Sequence, residues 1–282
     1  MPEPTRGFAD GPAGALSYLS WAGPPGVTPI LFLHPVNTAA AIWTDVAGIL
    51  SQHRPAIAVD YRGHGGSAAG GPYSPADYAA DALAVLDHLL VPSAHVVSGS
   101  IGGAVAVELA AANAERVASI LPFGATLRIG LAAAELATMA VDMRAVGVEA
   151  WFSEHASGIL GPASRPDAAA RLVQLAGGRD VDVVVEITEA TFGAADSRAA
   201  ARIIAASPPP SQVYVGTDDP TCPPEMAREL ADHLRATVRS IPDIGHLPML
   251  EDPVGTAREV RLFLDGLDHG HRTTPTRSTL PG

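Results

Sequence analysis

Two serines lie in a run of small residues, SGSIGG, that begins at Ser98. The run follows the apolar stretch AHVVS (94–98) and precedes residues 101–113, whose Ala-rich composition favours a helix. A strand that turns sharply into a helix can hold one serine at its apex, with the hydroxyl facing a substrate. The segment therefore predicts a serine nucleophile, and a Gly/Ser connection that carries no chemistry is the alternative.

The residues that flank each serine indicate which of the two is the nucleophile. In a turn of this kind the positions two before and two after the nucleophile are small, because the backbone passes close on both sides. Around Ser100 these positions hold Ser98 and Gly102, whereas around Ser98 one of them holds Val96, which would crowd the turn. We therefore predict that Ser100 is the nucleophile, at a helix N-terminus whose dipole favours developing negative charge.

A serine alcohol needs a base, and the base needs a carboxylate that orients it. In sheets that carry this type of turn, the chain order is serine, acid, histidine. Downstream, the strand SQVYVG is followed by TDDPTCPP, and the strand ATVRSIP is followed by DIGHLPMLEDP. Both segments come where a strand ends, the edge at which such sheets carry their sites. His246 is the predicted base, and Asp218 and Asp219 are the two candidates for the acid.

A tetrahedral oxyanion intermediate needs hydrogen-bond donors. The N–H of Ile101, directly after the predicted nucleophile, supplies one, and the second is expected in the loop HPVNTAA after the first buried strand. Pro35 has no N–H, so we assign the second donor to Val36. We expect His34, in the same loop, to brace the loop rather than to take part in the reaction.

The elements that must position these residues follow a regular alternation. Apolar runs without polar alternation, separated by helical patterns, are typical of a parallel sheet covered on both faces, so we predict the α/β class with a mostly parallel sheet flanked by helices. The predicted strands are 28–34, 56–60, 94–98, 115–123, 211–216 and 236–242. The predicted helices are 75–91, 101–113, 223–234 and 253–266, the first with Pro75 in its first turn.

A long helical segment interrupts this alternation at residues 126–206. Within it, VDVVVEI (181–187) has the composition of a strand but leads without a turn signal into TEATF, so we predict a helix. Three prolines at 208–210 mark the boundary after which the sheet resumes. The predicted organisation is a core of residues 1–125 and 207–267, a helical insertion at 126–206, and a loose polar tail at 268–282.

Composition excludes several classes of protein. The net charge of −12 disfavours nucleic acid as a partner, because phosphate binding needs clustered Lys and Arg. The sequence has no lysine, which excludes a lysine Schiff base and a lysine-dependent phosphate loop. One cysteine, Cys222, and the lack of an H-E-x-x-H motif argue against a zinc site. With no signal peptide and no membrane-spanning apolar run, we expect a cytoplasmic protein that uses neither metal nor cofactor and binds no membrane.

Five segments in chain order together resemble the α/β-hydrolase superfamily. They are HPV from His34, DYRGHGGS from Asp60, SGSIGG from Ser98, GTDDPTCP from Gly216 and GHLPMLEDP from Gly245. The resemblance spans most of the chain and implies the α/β-hydrolase fold, with the helical insertion as a cap that shapes the substrate pocket.

The resemblance also implies roles for single residues. The family's G-x-x-D-x-x-x-P pattern assigns the acid to Asp219 rather than Asp218, and its G-H-x-x-x-x-E-x-P pattern assigns the base to His246. The family's D-x-R-G-H-G-x-S loop, which begins here at Asp60, is structural rather than catalytic.

Within the superfamily, three segments are similar to those of 3-oxoadipate enol-lactonases: SIGGAVAVELA from Ser100, ERV from Glu115 and TLRIG from Thr126. This likeness implies hydrolysis of a small lactone or carboxylic ester. Arg128, at the start of the insertion, would then bind a substrate carboxylate, and Trp151 would line the pocket. The alternatives are a solvated arginine and a tryptophan of the plain core.

Other activities are compatible with the same three residues. An acyltransferase, a carbon–carbon bond hydrolase and a cofactor-free haloperoxidase all retain the triad, whereas dehalogenases and epoxide hydrolases need Asp where Ser100 stands. A receptor-like member that binds a ligand under the cap with little turnover is a further alternative. An intact triad with both oxyanion donors favours an enzyme, so we predict a hydrolase that acts on ester or lactone bonds.

Overall fold

Eight strands form one sheet at the centre of the protein, whose computed structural model describes residues 2–272. In chain order they are β1 (Thr5–Gly11), β2 (Gly14–Trp21), β3 (Ile30–Leu33), β4 (Ala56–Val59), β5 (Ala94–Gly99), β6 (Val117–Phe123), β7 (Val213–Gly216) and β8 (Val238–Ile241). Their order across the sheet is β1-β2-β4-β3-β5-β6-β7-β8. Strands β3 to β8 pair in parallel, as predicted, and all six predicted strands are present.

The antiparallel hairpin of β1 and β2 at one edge of the sheet was not predicted. Strand β2 pairs with both β1 and β4, and it is buried on both faces, with Leu16 and Tyr18 in one core layer and Leu19 and Trp21 in the other. Strand β1 is mostly exposed and contains two glycines, so it offers no apolar run that a sequence pattern would detect.

Helices cover both faces of the sheet. The helices before the insertion are α1 (Thr44–Leu50), α2 (Pro75–His88) and α3 (Gly102–Ala112), and those after it are α9 (Pro224–Leu234), α10 (Pro248–Glu251) and α11 (Pro253–Arg272). Residues of α2, α3 and α9 pack against one face, and residues of α1 and α11 pack against the other. Helix α2 begins as predicted, with Pro75 in its first turn and a capping box between Ser74 and Asp77.

The insertion between β6 and β7 is helical, as predicted. Its helices are α4 (Ala133–Val146), α5 (Val148–His155), α6 (Ala168–Ala176), α7 (Val181–Thr188) and α8 (Arg198–Ile204). Helix α7 confirms the helix predicted for VDVVVEI. Residues of α4 to α7 form a small apolar cluster of their own, whereas Ala200, Ala201 and Ile204 of α8 pack in the same layer as α3 and α9. The last helix of the predicted insertion therefore packs as part of the core.

The C-terminal helix is longer than predicted. The sequence predicts a helix over 253–266 and a loose tail from Asp268, but α11 continues to Arg272. The buried guanidinium of Arg54 pairs with the Asp268 carboxylate, and Leu264 and Leu267 pack on the core, so these contacts hold the last turns. The prediction is wrong for 268–272, and the rest of the predicted tail, 273–282, lies outside the described residues. Within residues 2–272, no helix is both long and apolar enough to cross a bilayer.

Candidate active site

Ser100 occupies the turn between β5 and α3. Its φ of 54° is left-handed, a conformation that few residues other than glycine adopt, and the surrounding strand and helix hold it there. A Cβ atom at Gly102 would lie 2.9 Å from the Leu33 carbonyl oxygen, so only glycine fits at that position. The other flanking position, Ser98, is fully buried, and its hydroxyl has no hydrogen-bond partner within residues 2–272. The structure thus places Ser100 at the apex, as predicted from its small neighbours.

His246 lies beside Ser100, on the loop after β8. Its Nε2 is 3.0 Å from the Ser100 hydroxyl oxygen, and its Nδ1 is 3.0 Å from each carboxylate oxygen of Asp219. A carboxylate only accepts hydrogen bonds, so Nδ1 carries the proton and Nε2 is left to accept from the Ser100 hydroxyl. All three side chains are buried. The structure therefore brings the three predicted residues together in hydrogen-bonding order.

The two candidate acids have different environments. Asp219 is buried, and its Oδ1 also accepts the Thr221 and Cys222 N–H groups at 2.9 and 2.8 Å. Asp218 is exposed and accepts from the hydroxyl of its neighbour Thr217 at 2.7 Å. Only Asp219 contacts His246, which agrees with the spacing that the family pattern gives.

The predicted oxyanion donors lie next to the nucleophile. Ile101 follows Ser100 directly, and Val36 lines the same cavity as the Ser100 side chain. Among the hydrogen bonds of residues 2–272, neither the Val36 nor the Ile101 N–H donates to a protein acceptor. Neither amide is therefore occupied by a protein acceptor among the described residues, as an oxyanion donor requires.

A cavity of about 120 Å³ opens beside Ser100 and His246. The helical insertion supplies most of its wall, and Trp151, as predicted from the sequence, belongs to that wall. The insertion residues that line it are Met139, Met143, Trp151, Phe152, His155, Ala156, Ile159, Leu172 and Phe192. Its lining residues include no Arg, Asp or Glu, and all of them lie within the described chain. The cavity therefore offers an apolar surface with a few polar groups near Ser100.

Arg128 does not take part in this cavity. Its side chain is exposed and lies outside the lining, so the structure does not bring Arg128 together with Ser100 and His246. The sequence placed Arg128 correctly after β6, but position along the chain does not determine the direction of a side chain. The nearby Thr126 hydroxyl instead bonds the Arg128 backbone, which fixes the turn and not the guanidinium.

A family model described as the alpha/beta hydrolase family matches residues 30–259 of the chain. The match includes the turn at Ser100 and the loops that carry Asp219 and His246. The chain belongs to the alpha/beta hydrolase family. This confirms the family and the fold that were predicted from the five segments.

Three known proteins illustrate what this alpha/beta hydrolase is similar to. Esterase Rv0045c of Mycobacterium tuberculosis is 38% identical over 112 residues, which cover 39% of this chain and 36% of that protein. The enol-lactonase from Burkholderia xenovorans LB400 superposes with a TM-score of 0.80 at 26% identity, covering 92% of this chain and 100% of that chain. Est816, described as an N-acyl homoserine lactone degrading enzyme, superposes with a TM-score of 0.77 at 25% identity, covering 91% and 100%. The chain thus matches little more than a third of the curated esterase's length, and nearly all of each of the two solved structures.

Glu251 holds the histidine loop of this alpha/beta hydrolase and was not singled out from the sequence. Its buried carboxylate accepts the N–H groups of Gly245 and Leu247, on both sides of His246, at 2.8 Å each. It also accepts the Gly161 N–H and the Ser164 hydroxyl, each at 2.7 Å, from the insertion. The signal in the sequence is the glutamate of the G-H-x-x-x-x-E-x-P pattern, whose histidine is the predicted base.

Two further histidines brace the loops around the site without facing the cavity. Burial lowers the pKa of His34 to about 4 and that of His64 well below its ordinary value. His34 bonds the Pro35 carbonyl and accepts the Tyr61 N–H, whereas His64 accepts the Asn37 N–H and bonds the Arg62 carbonyl. Both are neutral at pH 7, which agrees with the bracing role predicted for His34 and the structural role of the loop at His64.

The low pKa values of His34 and His64 predict that the folded protein loses stability in mild acid. The unfolded chain takes up a proton near pH 6.5, whereas the folded chain resists protonation of His34 until about pH 4. The stabilisation is therefore complete above pH 6.5 and is lost as the pH falls. From His34 alone, we expect the free energy of unfolding to fall by about 2 kcal/mol between pH 7 and pH 5, and His64 adds to the loss.

Urea denaturation at the two pH values measures this change, and few carboxylates titrate between them. In a His34→Gln variant, the free energy of unfolding should fall less between pH 7 and pH 5 than it does in the wild type. His53→Gln, at an exposed histidine, is the matched control and should follow the wild type. Equal free energies of unfolding at pH 7 and pH 5 in the wild type would contradict the neutral, buried state of His34.

Cys222 lies against the triad but is a poor nucleophile. Burial raises the pKa of its thiol well above the usual range, and the charge of Asp219 acts in the same direction, so the thiolate is not formed near neutral pH. This agrees with its expected role as a small filler. Within residues 2–272, no group of three or more His, Cys, Asp or Glu side chains is arranged to hold a metal ion.

Proposed function

We propose that this protein is a serine hydrolase that cleaves small, uncharged carboxylic esters or lactones through an acyl-enzyme on Ser100. The observation that carries the proposal is the hydrogen-bonded series from Ser100 through His246 to Asp219, which meets an apolar cavity at its serine end. The similar enol-lactonase, the lactone degrading enzyme Est816 and the esterase among its relatives support an ester or lactone bond as the target.

The proposed reaction has two acyl-transfer steps. The Ser100 hydroxyl oxygen attacks the substrate carbonyl while His246 Nε2 accepts its proton, and the same proton then passes to the leaving alcohol. Asp219 keeps the imidazole in the required tautomer and stabilises its positive charge. The Val36 and Ile101 N–H groups bind the oxyanion. Water, deprotonated by His246, then releases the acid, and these steps use no metal or organic cofactor.

The helical insertion acts as a cap in this proposal, because its side chains enclose the acyl group of the substrate. Trp151 stacks on His155 with ring centroids 4.1 Å apart and packs edge-on against Phe152 at 5.1 Å. This aromatic wall is held by the insertion's own apolar cluster. An apolar acyl chain or lactone ring fits such a wall better than a polar one does.

The lining of the cavity predicts discrimination against charged substrates. An ionised carboxylate inside it would lose its hydration without an arginine among the lining residues to pair with it, which costs several kcal/mol. We therefore expect phenyl butyrate to be cleaved with a kcat/KM at least about 100-fold above that of phenyl hemisuccinate, which has a free carboxylate at the same chain length. A carboxylated enol-lactone should likewise be a poorer substrate than an unsubstituted lactone of equal ring size.

Steady-state hydrolysis of these pairs by the purified protein tests the substrate class. Methyl succinate phenyl ester, in which the same carboxylate is masked, is the matched control and should be cleaved nearly as well as phenyl butyrate. Comparable rates for the charged and the masked ester would refute the uncharged substrate class but would leave the hydrolase proposal intact. Absence of ester and lactone turnover together with absence of fluorophosphonate labelling at Ser100 would refute the hydrolase proposal itself.

A further inference from the structure

The oxyanion donor proposed at Val36 belongs to a peptide unit whose carbonyl is held by three donors. We propose that His34 and Thr38 are positioning residues that aim and polarise the Pro35–Val36 peptide, a proposal that rests on the hydrolase function proposed above. Thr38 also lines the cavity, and in this proposal each of the two side chains acts through its hydrogen bond to the Pro35 carbonyl.

The hydrogen bonds to the Pro35 carbonyl carry this inference. Its oxygen accepts from His34 Nδ1 at 2.8 Å, from the Thr38 hydroxyl at 2.6 Å and from the Thr38 N–H at 3.2 Å. A carbonyl oxygen has two lone pairs, so three donors exceed what is needed to satisfy it. The tautomer of His34 is fixed because its Nε2 accepts the Tyr61 N–H at 3.3 Å, which leaves Nδ1 as the donor. The Pro35 oxygen therefore has more donors than it needs. The His34 and Thr38 side chains do more than satisfy a buried acceptor, because their bonds also act on the peptide unit.

That effect reaches the Val36 N–H through the peptide plane. In a planar trans peptide the C=O and N–H bonds point in opposite directions, so fixing the carbonyl also fixes the amide hydrogen. Donors that bind the carbonyl draw electron density from the nitrogen and make the N–H a stronger donor. The Val36 N–H donates to no protein acceptor among the described residues, and Val36 lines the cavity beside Ser100. In this proposal a substrate oxyanion therefore meets a Val36 N–H that is both fixed in direction and polarised.

The residue after Val36 is held just as firmly. Asn37 has a left-handed φ of 59°, and its N–H donates to His64 Nε2 at 3.1 Å. Its side-chain amide donates to the Thr188 hydroxyl at 2.9 Å and accepts from the Arg179 guanidinium at 3.2 Å, both from the insertion. The donor peptide thus lies between two anchored residues and cannot rotate without breaking several hydrogen bonds.

The test compares two buried threonines whose hydroxyls both donate to a carbonyl. Thr38→Val removes the bond to Pro35, and the control Thr191→Val removes an equally buried bond to Ile187, 2.7 Å long, outside the cavity lining. We expect Thr38→Val to lower kcat for p-nitrophenyl acetate by about tenfold with KM within about twofold, because a misaimed donor loses part of the 10²–10³-fold that a whole donor supplies. The rate constant for fluorophosphonate labelling of Ser100 should fall by a similar factor.

The control separates positioning from plain stability. Thr38→Val and Thr191→Val should lower the midpoint of thermal unfolding by similar amounts, but only Thr38→Val should lower kcat, and Thr38→Ser should restore it. If Thr38→Val does not fold, Thr38→Ser and Thr38→Ala make the same comparison, since they differ only in the hydroxyl. The proposal would be overturned if kcat falls no more in Thr38→Val than in Thr191→Val. It would equally be overturned if the fall in kcat from Thr38→Ser to Thr38→Ala is no larger than the fall in Thr191→Val. A wild-type protein without turnover or labelling would instead refute the hydrolase function.

Discussion

Replacing Ser100 with Ala is expected to lower kcat for ester hydrolysis by at least about 10⁴-fold, because the variant lacks the hydroxyl that lies 3.0 Å from His246 Nε2 and that forms the proposed acyl-enzyme. The Cys222 thiol, which lies against the triad, is held protonated by burial and cannot substitute for the hydroxyl. His246 and the two backbone donors remain in the variant, so only the weak catalysis that they give to a bound water molecule should persist. Hydrolysis of p-nitrophenyl acetate, with mass spectrometry of fluorophosphonate-treated protein, measures both turnover and the labelled residue.

Ser98→Ala is the matched control for this variant. Ser98 lies two residues away and is equally buried, but its hydroxyl has no hydrogen-bond partner within the described residues, and the residue does not line the cavity. Its loss should leave kcat within about twofold of the wild type, since a buried hydroxyl without a partner contributes little. Undiminished hydrolysis in Ser100→Ala, or equal losses in the two variants, would show that Ser100 is not the nucleophile.

The extent to which the fold could be predicted depended on how each strand is buried. Strand β3 is buried at all four of its positions, so it appears in the sequence as a continuous apolar run, ILFL. Strand β1 is mostly exposed at the edge of the sheet and has no such run, and β2 was missed with it. The parallel strands were therefore predictable from composition, whereas β1 is too exposed to give that signal and β2 pairs with β4 far along the chain.

The site was predictable where a local pattern determines geometry. The small residues around Ser100 require a sharp turn, and the family spacing distinguishes Asp219 from Asp218. Arg128 does not line the cavity, and no local pattern could have shown this, because it depends on the direction of one long side chain. Asn37 was missed because its hydrogen bonds join it to residues some 150 positions away along the chain, a relation that no local pattern contains.

Replacing Asp219 with Asn is expected to lower kcat by about 10⁴-fold with little change in the overall fold, because the substitution reverses the hydrogen bonding at His246. Oδ1 of Asp219 already accepts the Thr221 and Cys222 N–H groups, so the asparagine carbonyl would take that side. Its NH₂ group would then face Nδ1 and stabilise the tautomer with the proton on Nε2. An imidazole in that form donates to the Ser100 oxygen and cannot accept its proton.

Asp218→Asn tests whether this loss belongs to the position or only to a change of charge in the loop. Both variants remove one negative charge from adjacent residues, but Asp218 is exposed and contacts the Thr217 hydroxyl rather than the imidazole. Its kcat should stay within about twofold of the wild type, as expected for an exposed carboxylate away from the reacting atoms. Losses of similar size in the two variants would mean that the loop acts through its charge alone. A larger loss in Asp218→Asn would transfer the role of the acid to Asp218 and require the loop to rearrange during the reaction.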